Sequence, residues 1–305
     1  MENRNILSAC LLCIMLPAII FFCIKIGFAE MPDKRAEKIK IYVSILPQKY
    51  FVERIGGKRV DVSVMVGKGQ SPATYEPLPR QVLGLGKSKL YFRIGVPFET
   101  VWMDRIVKSN PGMKVIDMRR GIELIPMKSF HRRGHKKNIG RSEGRMDPHI
   151  WNSLRLVNIQ AKTICDALIT HDKDYKKYYQ NNLRAFSSDL DKLDAEISGL
   201  LNNLYTNKFM VFHPAWGYFA RDYGLEQIPV EIQGKMPGAK DLDNIIKMAK
   251  KENIKVIFVQ KQFSIESARA IADAIGGKII QVDPLAEDYL GNMKKIGETF
   301  MRALK

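Results

Sequence analysis

Three side chains in this sequence stand where metal chemistry is done. His213 follows directly on the apolar run Phe209-Met-Val-Phe212 and precedes Pro214. Asp283 stands in the same relation to Ile279-Ile-Gln-Val282 and Pro284. Both emerge at the carboxyl end of a predicted strand, which is where open α/β sheets place their ligands. His149 lies in Met146-Asp-Pro-His-Ile-Trp151, just after Pro148 interrupts regular structure and just before a helical pattern begins. Two imidazoles and one carboxylate suit a divalent transition metal such as Zn²⁺, Mn²⁺ or Fe²⁺. A single His-Pro or Asp-Pro pair reads more readily as a turn. The repeated placement at strand ends is what points to a shared ion.

The elements that must position these groups alternate along the chain. Ile39 to Ile45 and Val60 to Val66 are β-branched runs of strand length, with shorter candidates at Leu90 to Ile94 and Val115 to Met118. A second set follows at Phe209 to Phe212, Ile228 to Ile232, Val256 to Val259 and Ile279 to Val282. Helical periodicity separates them. Asp241 to Asn253 carries one apolar stripe. Ser264 to Ile275 opens on a capping serine and stops at Gly276, and Tyr289, Met293, Ile296, Phe300 and Leu304 mark a final amphipathic helix. From Asp174 to Leu204 the apolar positions keep a spacing of three or four without a proline, as one long helix requires. The pattern predicts an α/β fold of two lobes, each with a mainly parallel sheet flanked by helices, joined by one long backbone helix. The expected division is a signal peptide over 1–29, an N-terminal lobe over 30–172, a linker helix over 173–205 and a C-terminal lobe over 206–305. A coiled coil is the alternative for the long segment.

The chain has 305 residues and a formal net charge of +17, and its composition excludes some classes outright. With 46% hydrophobic residues it folds rather than staying disordered, and of its 4 cysteines only Cys165 lies beyond the first 23 residues, so the body holds no disulfide. Arg4, the uncharged apolar run Ile6 to Ile24 and the small-x-small Gly27-Phe28-Ala29 read as a secretory signal cleaved after Ala29, with an uncleaved anchor as the alternative. The expected location is therefore periplasmic or otherwise extracytoplasmic. There the positive charge suits anionic lipid headgroups or a membrane partner better than nucleic acid. Part of the excess is local, in a basic stretch from Arg119 to Arg145 that includes His131 and His135 and reads as a solvated loop.

Asp147-Pro-His-Ile-Trp151, Phe212-His-Pro-Ala-Trp-Gly-Tyr-Phe-Ala-Arg-Asp-Tyr-Gly-Leu225 and Val282-Asp-Pro-Leu285 resemble three of the four ligand segments of the metal-specific solute-binding proteins of ABC transporters. The resemblance runs from Ile39 to the end of the chain. It implies two α/β lobes, a backbone helix and a zinc, manganese or iron ion held between the lobes by His149, His213 and Asp283. It further implies delivery of that ion to a membrane permease by a monomer with no catalytic role. The fourth segment departs from the pattern. Ser71-Pro-Ala-Thr-Tyr-Glu-Pro77 carries Ala73 where the resemblance implies a first histidine ligand, and alanine cannot coordinate. Water, Glu76 or Gln70 is then left to complete the shell, or the cargo is a metal chelate.

Two other functions fit the same residues. An exported metallohydrolase would use the open metal position for an activated water, with Glu76 as its general base. A surface adhesin would carry a degenerate metal site. The chain has no Gly-rich phosphate loop and no Gly-x-Ser-x-Gly elbow. Cys165 reads as a small core residue and His171 as a surface or capping residue. Trp102, Trp151 and Trp216 read as packing groups, the latter two beside the proposed ligands.

Overall fold

The structure, a computed structural model, describes residues 37–128, 146–232, 235–263 and 265–305. The amino-terminal segment, Ser264, and most of the basic stretch with His131 and His135 lie outside the described residues. The first sheet contains β1 (Ile39–Ile45), β2 (Val60–Val66), β3 (Leu90–Arg93) and β4 (Lys114–Asp117), all parallel, in the order β2-β1-β3-β4. Its crossovers are α1 (Leu46–Gly56), α2 (Pro79–Leu85) and α3 (Pro97–Ser109). A second parallel sheet contains β5 (Lys208–Val211), β6 (Glu226–Pro229), β7 (Val256–Gln260) and β8 (Lys278–Val282), in the order β6-β5-β7-β8. Its crossovers are α6 (Gly217–Asp222), α7 (Ala239–Lys251) and α8 (Glu266–Ile275). Between the sheets run α4 (Leu154–His171) and α5 (Lys176–Leu200), and α9 (Tyr289–Leu304) closes the chain.

The alternation read from the sequence is therefore the fold: two parallel sheets flanked by helices. The periodic segment is a single backbone helix joining the two lobes. At about 1.5 Å per residue α5 is roughly 37 Å long. It follows a 3₁₀ turn at Lys173–Tyr175 and ends short of Leu204, where Leu201 turns inward and Asn203 takes a left-handed φ of 61°. Other bounds shift by one to three residues. β6 starts at Glu226 instead of Ile228, because Glu226 already donates its backbone N–H to Asn207. α8 starts at Glu266 and stops, as Gly276 predicts, on a left-handed glycine with φ of 60°.

One apolar core runs through both halves of the molecule. Val43, Phe51, Phe92, Ile164, Phe186, Ile197, Phe209 and Phe300 all belong to it, so α4, α5 and α9 are packed with the first sheet and the second alike. Phe300 carries the far end, stacked on Phe258 at 4.2 Å between centroids and edge-on to Phe209 at 4.8 Å. At the near end Arg59 holds the start of β2 to the α4–α5 junction. Its Nε and Nη2 reach Asp172 Oδ2 at 3.1 and 2.9 Å, and Tyr179 donates to the same oxygen at 2.7 Å. Cys165 is buried within α4, where burial pushes its thiol up to about 11.

Removing the Phe300 ring should leave a cavity that the rigid α5–α9 contact cannot fill. We expect Phe300→Ala to cost about 3–5 kcal/mol and to lower the melting temperature by on the order of 10 °C in a thermal scan. A shift of only a degree or two would mean that Phe300 does not carry the packing of α9 on β5 and β7.

Candidate metal centre

Parallel register builds the first half of the site. Val211 pairs with Pro229 on β6 and with Phe258 on β7, so two residues further on His213 comes level with Glu231 on one side and Gln260 on the other. Backbone hydrogen bonds continue the ladder past the strand ends, from Glu231 to Phe212 at 3.1 Å and from Phe212 to Phe258 at 2.9 Å. His213 thus leaves the sheet between β6 and β7, where the strand order reverses and an α/β sheet opens a crevice. The Gln260 side chain fixes its backbone, accepting from His213 N–H at 3.3 Å and donating to His213 O at 2.7 Å.

His149 arrives on a different kind of support. Met146 bridges to Pro126, Asp147 N–H donates to Ile125 O, and the chain then makes a 3₁₀ turn at Ile150–Asn152. This turn is bonded to the second half of the molecule at four points. Tyr218 donates to Asp147 O at 2.8 Å and Asn152 to Ala215 O at 2.8 Å. Trp151 Nε1 donates to Pro284 O at 2.8 Å and Tyr289 to Trp151 O at 2.7 Å. Gly217 is required for the close approach, since a Cβ there would lie 2.6 Å from Asp147 Oδ2.

The two imidazoles meet. His149 Nε2 lies 3.3 Å from His213 Nε2, with the ring centroids 5.1 Å apart at 76°. The far nitrogens are both taken: His149 Nδ1 faces Asp147 Oδ1 at 2.6 Å, and His213 Nδ1 faces Glu231 Oε1 at 2.6 Å. Asp147 and Glu231 are buried and His149 nearly so. A carboxylate on Nδ1 makes that nitrogen the N–H donor and leaves the lone pair on Nε2. Both lone pairs then point at one spot, a mutual repulsion that a cation between them relieves. Burial pushes the His149 imidazole below its ordinary value; Asp147 pulls the other way and the nearby His213 adds to the depression. His149 is thereby kept neutral, as ligation demands. Trp151 at 5.1 Å and Phe263, stacked on His213 at 5.2 Å and 20°, wall the pair with apolar rings.

The third predicted ligand stands apart. Gln260 pairs with Val282, so Asp283 follows β8 two strands away from His213, roughly 10 Å at the usual strand spacing. Its Oδ1 accepts from Leu285 N–H at 3.0 Å and Gln262 Nε2 at 3.3 Å, and its Oδ2 lies 3.8 Å from Lys261 Nζ. Among the described residues no group of three His, Cys, Asp or Glu side chains is close enough to hold one ion. Ala73 and Glu76 sit exposed on the turn between β2 and α2, and Ala73 N–H donates to Ser71 Oγ at 3.3 Å. His171 is exposed at the end of α4, and Trp216 is fully buried against Phe219 and Phe300.

Sequence reading missed Glu231 and gave Asp147 no role of its own. Asp147 had a detectable signal, since a carboxylate two residues before a histidine can turn back onto its ring. Glu231 had only its place at the end of an apolar run, and no local pattern says which neighbouring strand that run joins.

A two-lobed α/β body with a backbone helix and a polar centre where the halves meet is the architecture of a solute-binding protein. Residues 41–303 match the family model ZnuA, zinc-uptake complex component A, periplasmic, and the chain belongs to that family. It is 26% identical over 250 residues to the high-affinity zinc uptake system protein ZnuA of Bacillus subtilis (strain 168), covering 81% of this chain and 78% of the relative. It is 24% identical over 280 residues to the manganese ABC transporter substrate-binding lipoprotein PsaA of Streptococcus mitis, covering 88% and 86%. A solved structure of ZnuA superposes with a TM-score of 0.81 at 40% identity, over 88% of this chain and 100% of that one. The family is extracytoplasmic, and no helix among the described residues is long and apolar enough to cross a membrane.

Glu231→Gln keeps the shape of the side chain but replaces the acceptor that selects the His213 tautomer. Long-range ¹H–¹⁵N spectra of the metal-free protein should show His213 protonated on Nδ1 in the parent and as a mixture of tautomers in the variant. An unchanged tautomer would assign its orientation to the Gln260 and Phe263 contacts instead.

Proposed function

We propose that this protein captures a divalent transition metal outside the cytoplasm and delivers it to an ABC permease in the membrane, acting as a monomer and without catalytic chemistry. Zinc is the favoured cargo, with manganese or iron as alternatives. The observation that carries this is the 3.3 Å separation of the two Nε2 atoms, each backed by a buried carboxylate on Nδ1. Two nitrogens at about 2.05 Å from a tetrahedral zinc stand about 3.3 Å apart, so the imidazoles already span one edge of the coordination shell. The zinc and manganese transport proteins among its relatives support the same assignment.

Asp283 is the third ligand in this scheme. It joins when its carboxylate gives up Gln262 and Lys261 for the ion, a rearrangement the cation itself favours by neutralising the charge. Ala73 leaves the fourth position to water or to a donor brought by the cargo. Glu76, the base that a metallohydrolase would need, is exposed on its turn, and among the described contacts it touches neither imidazole. Ion capture therefore accounts for the centre with fewer groups than hydrolysis requires.

Zinc at about a hundred times its dissociation constant should stabilise the fold by roughly 2.7 kcal/mol, a rise in melting temperature of several degrees. His213→Ala should abolish that rise. The assignment fails if the parent protein shows no shift with zinc, manganese or iron. Ala73→His should tighten zinc binding at least tenfold by titration calorimetry; unchanged or weaker binding would mean that the centre is shaped for a different cargo.

Proton competition gives a further expectation. Burial depresses the affinity of His149 for protons when folded, so metal binding should persist as pH falls through the ordinary imidazole range and be lost only at more acidic pH. Affinity that falls already between pH 8 and 7 would place a group other than the imidazoles in control.

A further inference from the structure

We infer that the amino-terminal end of the first sheet is a docking surface for an anionic lipid bilayer. All four strands of this sheet are parallel, so their starts lie together at one end of the lobe, and each start carries lysine. In spatial order these are Lys58 before β2, Lys38 and Lys40 at β1, Lys87 and Lys89 before β3, and Lys114 at β4. The backbone ladder holds them in a row, with Lys89 N–H donating to Lys40 O at 2.8 Å and Lys114 N–H to Lys89 O at 3.0 Å. At the usual strand spacing the row is roughly 15 Å long. Lys108, near the end of α3, adds to the same pole because α3 runs back against the strands.

These ammonium groups are uncommitted. Lys38, Lys58, Lys87, Lys89, Lys108 and Lys114 are exposed, and among the described residues none of them has a carboxylate in ion-pair range. Lys40 alone does, in an exposed pair with Glu37 at 3.5 Å, which binds it weakly. Apart from Glu37, the negative groups at the strand starts are Asp61 and Asp172, the latter held by Arg59. Several like charges fixed side by side without partners repel one another, and a surface of opposite charge relieves that.

The arrangement of these charges favours a bilayer as that surface. The row lies along the amino-terminal end of the sheet, where parallel strands set their cations side by side as a layer of headgroups would meet them. Its apolar neighbours Ile39, Val60 and Leu90 are buried, and Val107 beside Lys108 is half-exposed. A basic cluster adds about fivefold in affinity per lysine at an anionic surface.

Lysine acetylation of the full chain, read by mass spectrometry, tests this on vesicles of phosphatidylcholine with and without about a third of phosphatidylglycerol. Lys87, Lys89 and Lys114 should be protected several-fold on the anionic vesicles only, and Lys247, Lys250 and Lys251 on α7 should not. In sedimentation with the same vesicles, Lys87→Glu, Lys89→Glu and Lys114→Glu together should weaken binding at least tenfold. The equivalent reversal of Lys247, Lys250 and Lys251 changes net charge equally and should have little effect. Equal losses from both triple variants, or protection spread evenly over both sets, would reduce the effect to net charge and overturn the surface. Unchanged vesicle binding with a lowered melting temperature would assign the lysines to the carbonyl ends of α2 and α3 instead.

Discussion

The constraint on which the rest depends is the approach of two imidazole lone pairs inside the protein. Each ring is fixed from behind by a buried carboxylate, so neither can turn away, and a metal-free centre holds two electron pairs against each other. A protein keeps such an arrangement only where the surrounding packing imposes it. Here the packing is the shared core of α4, α5 and α9, which leaves the two halves little freedom to separate. The pair of imidazoles is therefore held in place by the fold itself.

The two histidines reach the centre by different physics. His213 is a product of sheet register: once β5 lies between β6 and β7, its level with Glu231 and Gln260 is determined. His149 is carried by an irregular segment that belongs to the first half by sequence but is bonded to the second through Tyr218, Ala215, Pro284 and Tyr289. That graft also fixes Trp151 against the His149 ring and excludes water from one side. Asp283 has neither support, and its hydrogen bonds to Leu285 and Gln262 hold it as part of its own turn. It is the group with most freedom to respond to a cation.

Charge is divided between the ends of the first lobe in a way that follows from parallel topology. Strands that all run one way collect their starts at one pole and their ends at the other. The ends hold buried polar groups, among them Ser44, Gln48 and Glu99, which accepts from Ile94 and Gly95 N–H at 2.8 and 2.7 Å. The starts collect lysine. Buried polar groups and a basic face are thus kept at opposite ends of one sheet.

Much of this was legible in the sequence. β-branched runs bounded β1 and β2 to the residue, and the spacing of Tyr289, Met293, Ile296, Phe300 and Leu304 marked the buried face of α9, because local backbone preference and burial agree in those elements. His149 and His213 were also marked, each by a proline neighbour and a strand or turn boundary. What only the tertiary structure decided is pairing. Glu231 behind His213, the separation of Asp283 by two strands, and the gathering of distant lysines at one pole all depend on which strands lie side by side. Strand order is settled by crossovers and long-range packing, and neighbours in sequence carry no record of it.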